Sequence, residues 1–268
     1  MSGLLAGRTA LVTGGGGGIG RGISERFAAE GALVVVAEID AERAHDTVSA
    51  INAAGGEARV EVLDVRERDQ VDAVAARVGR IDALVNNVGH YGGARGGFLA
   101  SDEAEWDVLY RINLYPVFVC TRAFAPAMVD AGAGTIINLS TVEAFRGIPN
   151  RSVYSAFKAA ITGFTKSLAL ELGPAGVRVN AIAPDLTETL QVPYSRWITE
   201  EQQELIPHWV PVGRFGTPHD IAGCALFLAS DLSAFVTGTT IHADGGSLAA
   251  GGWFRRADDT WTNRPLAP

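Results

Sequence analysis

The run Arg8-Thr-Ala-Leu-Val-Thr13-Gly14-Gly-Gly-Gly-Gly18-Ile-Gly20 decides the fold. Its first half is short and apolar, as a buried strand is, and residues 21–30 continue it with a helical pattern. Glycines let a backbone turn sharply and come close to a pyrophosphate, while the amides and dipole at a helix start favour negative charge. A flexible linker is the competing reading, but a linker would not be wedged between an apolar strand and an amphipathic helix. A second apolar strand, 32–37, ends in Glu38. That carboxylate lies about twenty residues past the glycines, where it suits the ribose hydroxyls of NAD and repels the extra phosphate of NADP. Arg21 and Arg43 are the nearest cations and read as ordinary helix surface. NAD is therefore the expected cofactor.

Working outward, apolar runs at 9–12, 33–37, 60–63, 83–85, 135–139 and 177–182 alternate with helical stretches, and a seventh run at 239–242 closes the edge. The pattern predicts an α/β, Rossmann-type doubly wound fold: a seven-stranded, mainly parallel sheet with helices on both faces. With 268 residues, 47% hydrophobic, 32 glycines and 11 prolines, the chain builds one core, so residues 1–268 are expected to form a single domain. A net charge of −8 without a basic cluster argues against nucleic acid. The absence of a signal-like start and of an apolar stretch of about 18 residues predicts a cytoplasmic protein without a membrane partner. Cys120 and Cys224 sit in apolar helical stretches and read as free thiols. His45, His90, His208, His219 and His242 are too scattered for a metal site, and there is no Gly-x-Ser-x-Gly elbow.

Tyr154 and Lys158, in Ser-Val-Tyr-Ser-Ala-Phe-Lys, stand one helical turn apart on the same face. A free phenol has a pKa near ~10, and a close cation favours phenolate, bringing it toward the range of a general acid or base. Alone, such a pair is a common helix-surface feature. The rest of the chain gives it meaning.

The motifs Thr13 to Gly20, Leu63-Asp64-Val65, Asn86-Asn87-Val88-Gly89, Arg111-Ile-Asn113, Ile137-Asn-Leu-Ser140-Thr141, Tyr154 with Lys158, Val179-Asn-Ala-Ile-Ala-Pro184 and Asp244-Gly-Gly246 follow one another in order. Over residues 4–248 the chain thereby resembles the compact, single-domain branch of the short-chain dehydrogenase/reductase family. The resemblance implies that Tyr154 exchanges a proton with the substrate oxygen. Lys158 would lower its pKa and hold the nicotinamide ribose, and Asn113 would hold a water of a proton relay. It also implies a cofactor site of Gly14, Gly17, Gly18, Ile19, Gly20, Glu38, Asp64, Val65, Asn86, Val88, Gly89, Tyr154, Lys158, Pro184, Thr187 and Thr189, and a homotetramer.

Three positions depart from the family pattern. The strand-end serine is Thr141, preceded by Ser140; neighbouring strand side chains point to opposite faces, and Thr141 is taken as the one that holds the substrate oxygen. Val88 replaces the usual alanine, as in relatives that oxidise cis-dihydrodiols of aromatic acids. Pro184-Asp185 replaces Pro-Gly, which bears on the path of the loop carrying Thr187 and Thr189.

Substrate choice is expected in the loop 90–98, in the segment 143–149 with Glu143 and Arg146, and in a lid at about 186–215 carrying Tyr194, Trp197 and Trp209. Glu143 and Arg146 read as solvated loop charges, with contact to a polar group of the substrate as the alternative, and the lid aromatics fit either substrate stacking or the lid's own packing. The tail, 249–268, carries Trp253, Phe254 and Trp261 and is expected to dock, over the site of its own subunit or of a neighbour. The expected activity is NAD-dependent interconversion of a secondary alcohol and a ketone, on a cyclic or apolar small molecule. A cis-dihydrodiol dehydrogenase and a non-catalytic cofactor-binding sensor are the alternatives.

Overall fold

A computed structural model describes residues 3–92, 97–251, 253–256, 258 and 260–263. Residues 93–96 of the 90–98 loop, and Gly252, Ala257, Asp259 and 264–268 of the tail, lie outside the described residues, as do the side chains of His208, Phe254 and Arg255. The elements run β1 (Thr9–Thr13), α1 (Gly18–Ala29), β2 (Leu33–Glu38), α2 (Ala41–Ala53), β3 (Glu57–Val62), α3 (Arg68–Val78), β4 (Ala83–Asn86), α4 (Glu103–Asn113), α5 (Tyr115–Asp130), β5 (Gly134–Leu139), α6 (Ser152–Leu172) and β6 (Val177–Pro184). Three short lid helices follow, α7 (Tyr194–Trp197), α8 (Glu200–Glu204) and α9 (Ile206–Trp209), then α10 (Pro218–Ala229), β7 (Thr240–Ala243), and a tail hairpin of β8 (Phe254–Arg255) and β9 (Trp261–Thr262).

Seven strands form one wholly parallel sheet in the order β3-β2-β1-β4-β5-β6-β7. Helices cover both faces, so the central strands are apolar on both sides: Val34, Val35 and Val36 are all fully buried. The period of two is visible in the two cores. Val12, Val34, Val36 and Ile137 pack with α1 and α10 on one face, while Leu11, Val35, Leu84 and Ile136 pack with α3, α5 and α6 on the other. Burying each such aliphatic side chain contributes about 1.5–3 kcal/mol.

Two boundaries differ from expectation. Helix α1 begins at Gly18, inside the glycine run, because Gly17 is already its N-cap. Strand β3 begins at Glu57, as an edge strand with polar residues on its open side. Helices α4 and α5 are separated only by Leu114, and together they make a helical stretch, 103–130, long and apolar enough to cross a membrane by length and composition alone. This corrects the expectation of no such stretch. Half of its apolar window is buried inside the fold, so core packing accounts for its apolarity. Cys120 lies within it, and burial pushes its thiol up to about 12; Cys224 is half-buried.

Strand order reverses between β1 and β4, and their carboxyl ends, with those of β2, β5 and β6, open onto one cleft. In an open parallel sheet this switch point is where ligands lie.

Candidate active site

The cleft has a volume of about 1470 Å³. Its near wall is the glycine turn, where Gly14 (φ +63°) and Gly18 (φ +50°) occupy the left-handed region that favours glycine. Gly17, Gly18 and Ile19 line the cleft, and Gly17 gives α1 no side-chain cap, leaving the first helical amides to a ligand. A Cβ on Gly18 would point across to Thr189, 3.6 Å from its Cβ. Turn and loop thus face each other at close range along the cleft.

Gly20 faces the protein instead. It does not line the cleft; a Cβ there would overlap the Gly14 carbonyl oxygen and stand 2.7 Å from Asn87 Nδ2. Its role is packing of α1 against the turn, which corrects its assignment to direct cofactor contact. Gly20→Ala should therefore cost about 3 kcal/mol of stability by overpacking and weaken dinucleotide binding at least tenfold, measured by thermal denaturation and fluorescence titration; a fully stable, fully binding variant would contradict this geometry.

Glu38 is buried at the end of β2 and accepts from the Gly16 (3.2 Å), Ile39 (3.0 Å) and Asp40 (3.3 Å) amides. Arg43 also lines the cleft, 4.0 Å from Glu38, with its Nε on Asp40 (3.0 Å), so it is more than helix surface. Asp64 and Val65 line the next stretch of wall. The Asp64 carboxylate is held by Arg66 (2.6 Å), whose hydrogen bonds keep it below the usual carboxylate range.

After β4 the alternation of side chains separates neighbours. Asn86 points away from the cleft, donating to Asn138 Oδ1 (2.9 Å) and Thr121 Oγ1 (3.2 Å), and Asn138 continues the ladder to Thr165 (3.0 Å). Its side chain is thus not among those brought to the cleft wall, against the expectation of a cofactor contact. The side chain that faces the turn is that of Asn87, which sequence reading passed over although it is the second of the pair; it donates to the Thr13 (3.0 Å) and Gly14 (3.3 Å) carbonyls. Val88 and Gly89 line the cleft.

At the far end, β5, α4 and α6 bring four groups together. The Ser140 hydroxyl donates to the Lys158 carbonyl (2.9 Å) and is spent on α6, whereas Thr141 shares a hydrogen bond with Tyr154 and donates to the Pro184 carbonyl (3.3 Å). Lys158 is 4% exposed; its Nζ donates to the Leu139 carbonyl (3.0 Å) and lies 5.9 Å from the Tyr154 ring centre. Burial lowers its pKa to about 8. Asn113 is fully buried where α4 gives way to α5, clasping both backbone groups of His90 (3.1 and 2.9 Å). A Cβ on Gly89 would stand 2.8 Å from Lys158 Nζ and 3.1 Å from Asn113 Oδ1, so only a glycine lets these two converge.

Tyr154 departs from the expected depressed pKa. Burial, then the charges of Glu143 and Asp185, push its phenol up, with the Thr141 hydrogen bond pulling the other way. The charges belong to a buried ionic trio, two of whose members, Glu143 and Arg146, read in the sequence as solvated loop charges. Arg146 Nη2 bridges Glu143 Oε1 (3.0 Å) and Asp185 Oδ2 (2.6 Å), and all three side chains are at most 10% exposed. Asp185 stands where the family has glycine. Its neighbour Leu186 adopts φ +46°, a left-handed backbone usually costing about 1 kcal/mol or more.

The model of the family described as enoyl-(acyl carrier protein) reductase matches residues 14–247. The chain is 40% identical to the (2S)-[(R)-hydroxy(phenyl)methyl]succinyl-CoA dehydrogenase subunit BbsD of Thauera aromatica, covering 91% of this chain and 98% of that one. It is 39% identical to the 3-oxoacyl-[acyl-carrier-protein] reductase FabG of Thermotoga maritima, covering 90% and 98%. The chain belongs to the short-chain dehydrogenase/reductases. Among solved structures of that family, a 7α-hydroxysteroid dehydrogenase complexed with NADH and 7-oxo glycochenodeoxycholic acid superposes with a TM-score of 0.83 at 33% identity, covering 90% of this chain and 94% of that one.

In this short-chain dehydrogenase/reductase the lid is a small packed unit. Leu186, Tyr194 and Val210 form its core, and Tyr194 stacks on Phe215 at 4.8 Å, so Tyr194 and Trp209 hold the lid together, while Trp197, 40% exposed, lines the cleft. Pro184, Thr187 and Thr189 line the cleft as well. The Thr187 hydroxyl donates to the Asp185 carbonyl (3.0 Å), and that of Thr189 accepts from the Val192 amide (3.1 Å). The tail folds back over its own chain, placing Trp253, Thr260, Trp261 and Asn263 in the cleft wall.

Proposed function

We propose that this oxidoreductase interconverts a secondary alcohol and a ketone with NAD(H), on a small molecule that is cyclic or apolar around the reacting carbon. The observation that carries the reading is the convergence of Thr141, Tyr154, Lys158 and Asn113 at one end of a cleft whose other end is the glycine turn and Glu38. Bound nicotinamide supplies the hydride acceptor or donor. Thr141 and Tyr154 hold the substrate oxygen between two hydroxyls, and Tyr154 gives or takes its proton. Lys158 stands ready to hold ribose hydroxyls, and Asn113 fixes the backbone beside it. Holding both reactants in near-attack geometry supplies much of the rate in such a site.

The uncapped start of α1 and the left-handed glycines suit the diphosphate, and Asp64 and Val65 flank the adenine pocket. Glu38 supports NAD, because a buried carboxylate accepts from ribose hydroxyls and repels a 2′-phosphate. Arg43 at the same wall favours NADP as the second reading. Titration with NADH and NADPH by fluorescence decides between them: NADH should bind at least tenfold tighter, and Glu38→Gln should narrow that gap, whereas tighter NADPH binding overturns the NAD assignment. Oxidation of cyclic and aromatic secondary alcohols with the preferred cofactor then tests the reaction. The phenyl-bearing carbinol in the name of the Thauera aromatica relative supports an aromatic substrate, and the FabG relative supports 3-oxoacyl thioester reduction as its competitor in the same screen.

The protein is further proposed to be a cytoplasmic homotetramer. Val108 of α4 and Leu170 of α6 are 63% and 80% exposed, and Phe235, just before the edge strand β7, is fully exposed. These apolar residues support two contact faces, and analytical ultracentrifugation should return the mass of a tetramer.

A further inference from the structure

We infer that Trp253 of the tail determines specificity at the substrate end of the cleft, as the wall on which a planar ring attached to the reacting carbon stacks, and that the Glu143–Arg146–Asp185 trio holds it there. The inference rests on the oxidoreductase reading and names the part of that site which selects the substrate.

Trp253 lies beyond the residues matched by the family model, 14–247, so the fold common to the family does not require it. It is tied to the catalytic end nonetheless. Its indole N–H donates to Glu143 Oε2 (3.4 Å), and at the root of the tail the Ser247 hydroxyl donates to Asp185 Oδ2 (2.6 Å). Arg146 joins those two carboxylates, so tail and catalytic loop are latched at two points through one buried guanidinium. Buried charges of this kind persist only when each finds its partners, which makes the latch cooperative. Asp185, the departure from the family's Pro-Gly, supplies one of the two anchors. Thr141, Tyr154 and Trp253 line one cleft, with Ile148 and Pro149 continuing the apolar side. With its N–H engaged, the indole offers the cleft a rigid aromatic surface, which pairs with a ring at little entropic cost.

The test uses the full chain loaded with whichever of NADH and NADPH it binds, and two ketone probes, 1-tetralone and butanone, followed by calorimetry or saturation-transfer NMR. Wild-type protein should bind 1-tetralone in preference to butanone. Trp253→Ala should cut that preference about tenfold, and Trp253→Phe, which keeps a ring, should restore most of it. Asp185→Gly, which removes an anchor, should lower it in the same direction. Cofactor affinity within twofold of wild type shows that each variant has folded. Where tetralone is reduced, the loss in Trp253→Ala should appear in KM more than in kcat. Failure of the wild type to prefer 1-tetralone, or an unchanged preference in Trp253→Ala, overturns the inference. Tetralone that binds with the expected preference but is never reduced overturns the oxidoreductase reading of the site and leaves the aromatic wall standing.

Discussion

Tyr154→Phe should lower kcat/KM by about 10³-fold, the usual worth of a general acid or base, while NAD(H) affinity and melting temperature stay close to wild type. The substitution removes one oxygen and preserves the ring that packs beside Lys158. The hydroxyl it deletes shares a hydrogen bond with Thr141 and is the group placed to hold the substrate oxygen. A 10³-fold loss corresponds to about 4 kcal/mol of transition-state stabilisation. The phenol also sets the pH behaviour. Burial, Glu143 and Asp185 hold it protonated through neutrality, so ketone reduction, which consumes that proton, should be flat from about pH 6 to 8, whereas alcohol oxidation should climb with pH. Steady-state kinetics in both directions checks this, and a variant with undiminished turnover would sink the assigned chemistry.

Lys158→Met should produce a second large effect, in two opposite senses: turnover falls by about 10²–10³-fold, while the protein becomes more stable at pH 7. In the folded chain Lys158 titrates at about 8 against an ordinary value of 10.5, because burial opposes its charged form. The sign follows. Below pH 8 the residue is charged both folded and unfolded, and folding bears the whole desolvation cost, about 3 kcal/mol. Between pH 8 and 10.5 the folded state sheds its proton first and the cost fades; above 10.5 it is gone. Methionine removes the cost at every pH, less about 1 kcal/mol for the donor lost to the Leu139 carbonyl. Melting temperature at pH 7 should therefore rise by about 4–8 °C, and the wild type's gain in stability between pH 8 and 10.5 should shrink in the variant. A lower melting temperature at pH 7 would show that the Leu139 contact outweighs desolvation.

Much of this was legible in the sequence where a single local rule applied. Apolar runs covered on both faces marked the parallel strands, and left-handed backbone at Gly14 and Gly18 requires the glycines that announce the turn. Strand alternation told Ser140 from Thr141. The same fingerprint could not say which glycine faces a ligand and which faces the protein, so Gly20 was placed with the cofactor although it makes room for the Gly14 carbonyl. Asn86 was misplaced for a related reason: a motif names residues in order, and the side of the sheet each one takes emerges only when its partners Thr121 and Asn138 are in place. The ionic trio was illegible, because Asp185 comes from a segment separate from that of Glu143 and Arg146, and no period or spacing encodes their meeting. Glu143 and Arg146 looked like surface charges until the fold buried them. The tail's aromatics suggested that it covers a site, its own subunit's or a neighbour's, but its two-residue strands carry no periodic signal to say which.

The trio has one guanidinium for two carboxylates, so whenever both are ionised it carries one net negative charge at the catalytic end of the cleft. In a medium of effective dielectric about 20, a substrate anion at about 6–8 Å would meet roughly 2–3 kcal/mol of repulsion from that charge, which the Lys158 ammonium offsets in part below pH 8. Because burial raises the pKa of both Glu143 and Asp185, acidification removes this barrier from within. Acids carrying their charge near the reacting carbon should therefore show a higher KM than neutral analogues, by a margin that shrinks as the medium turns acid.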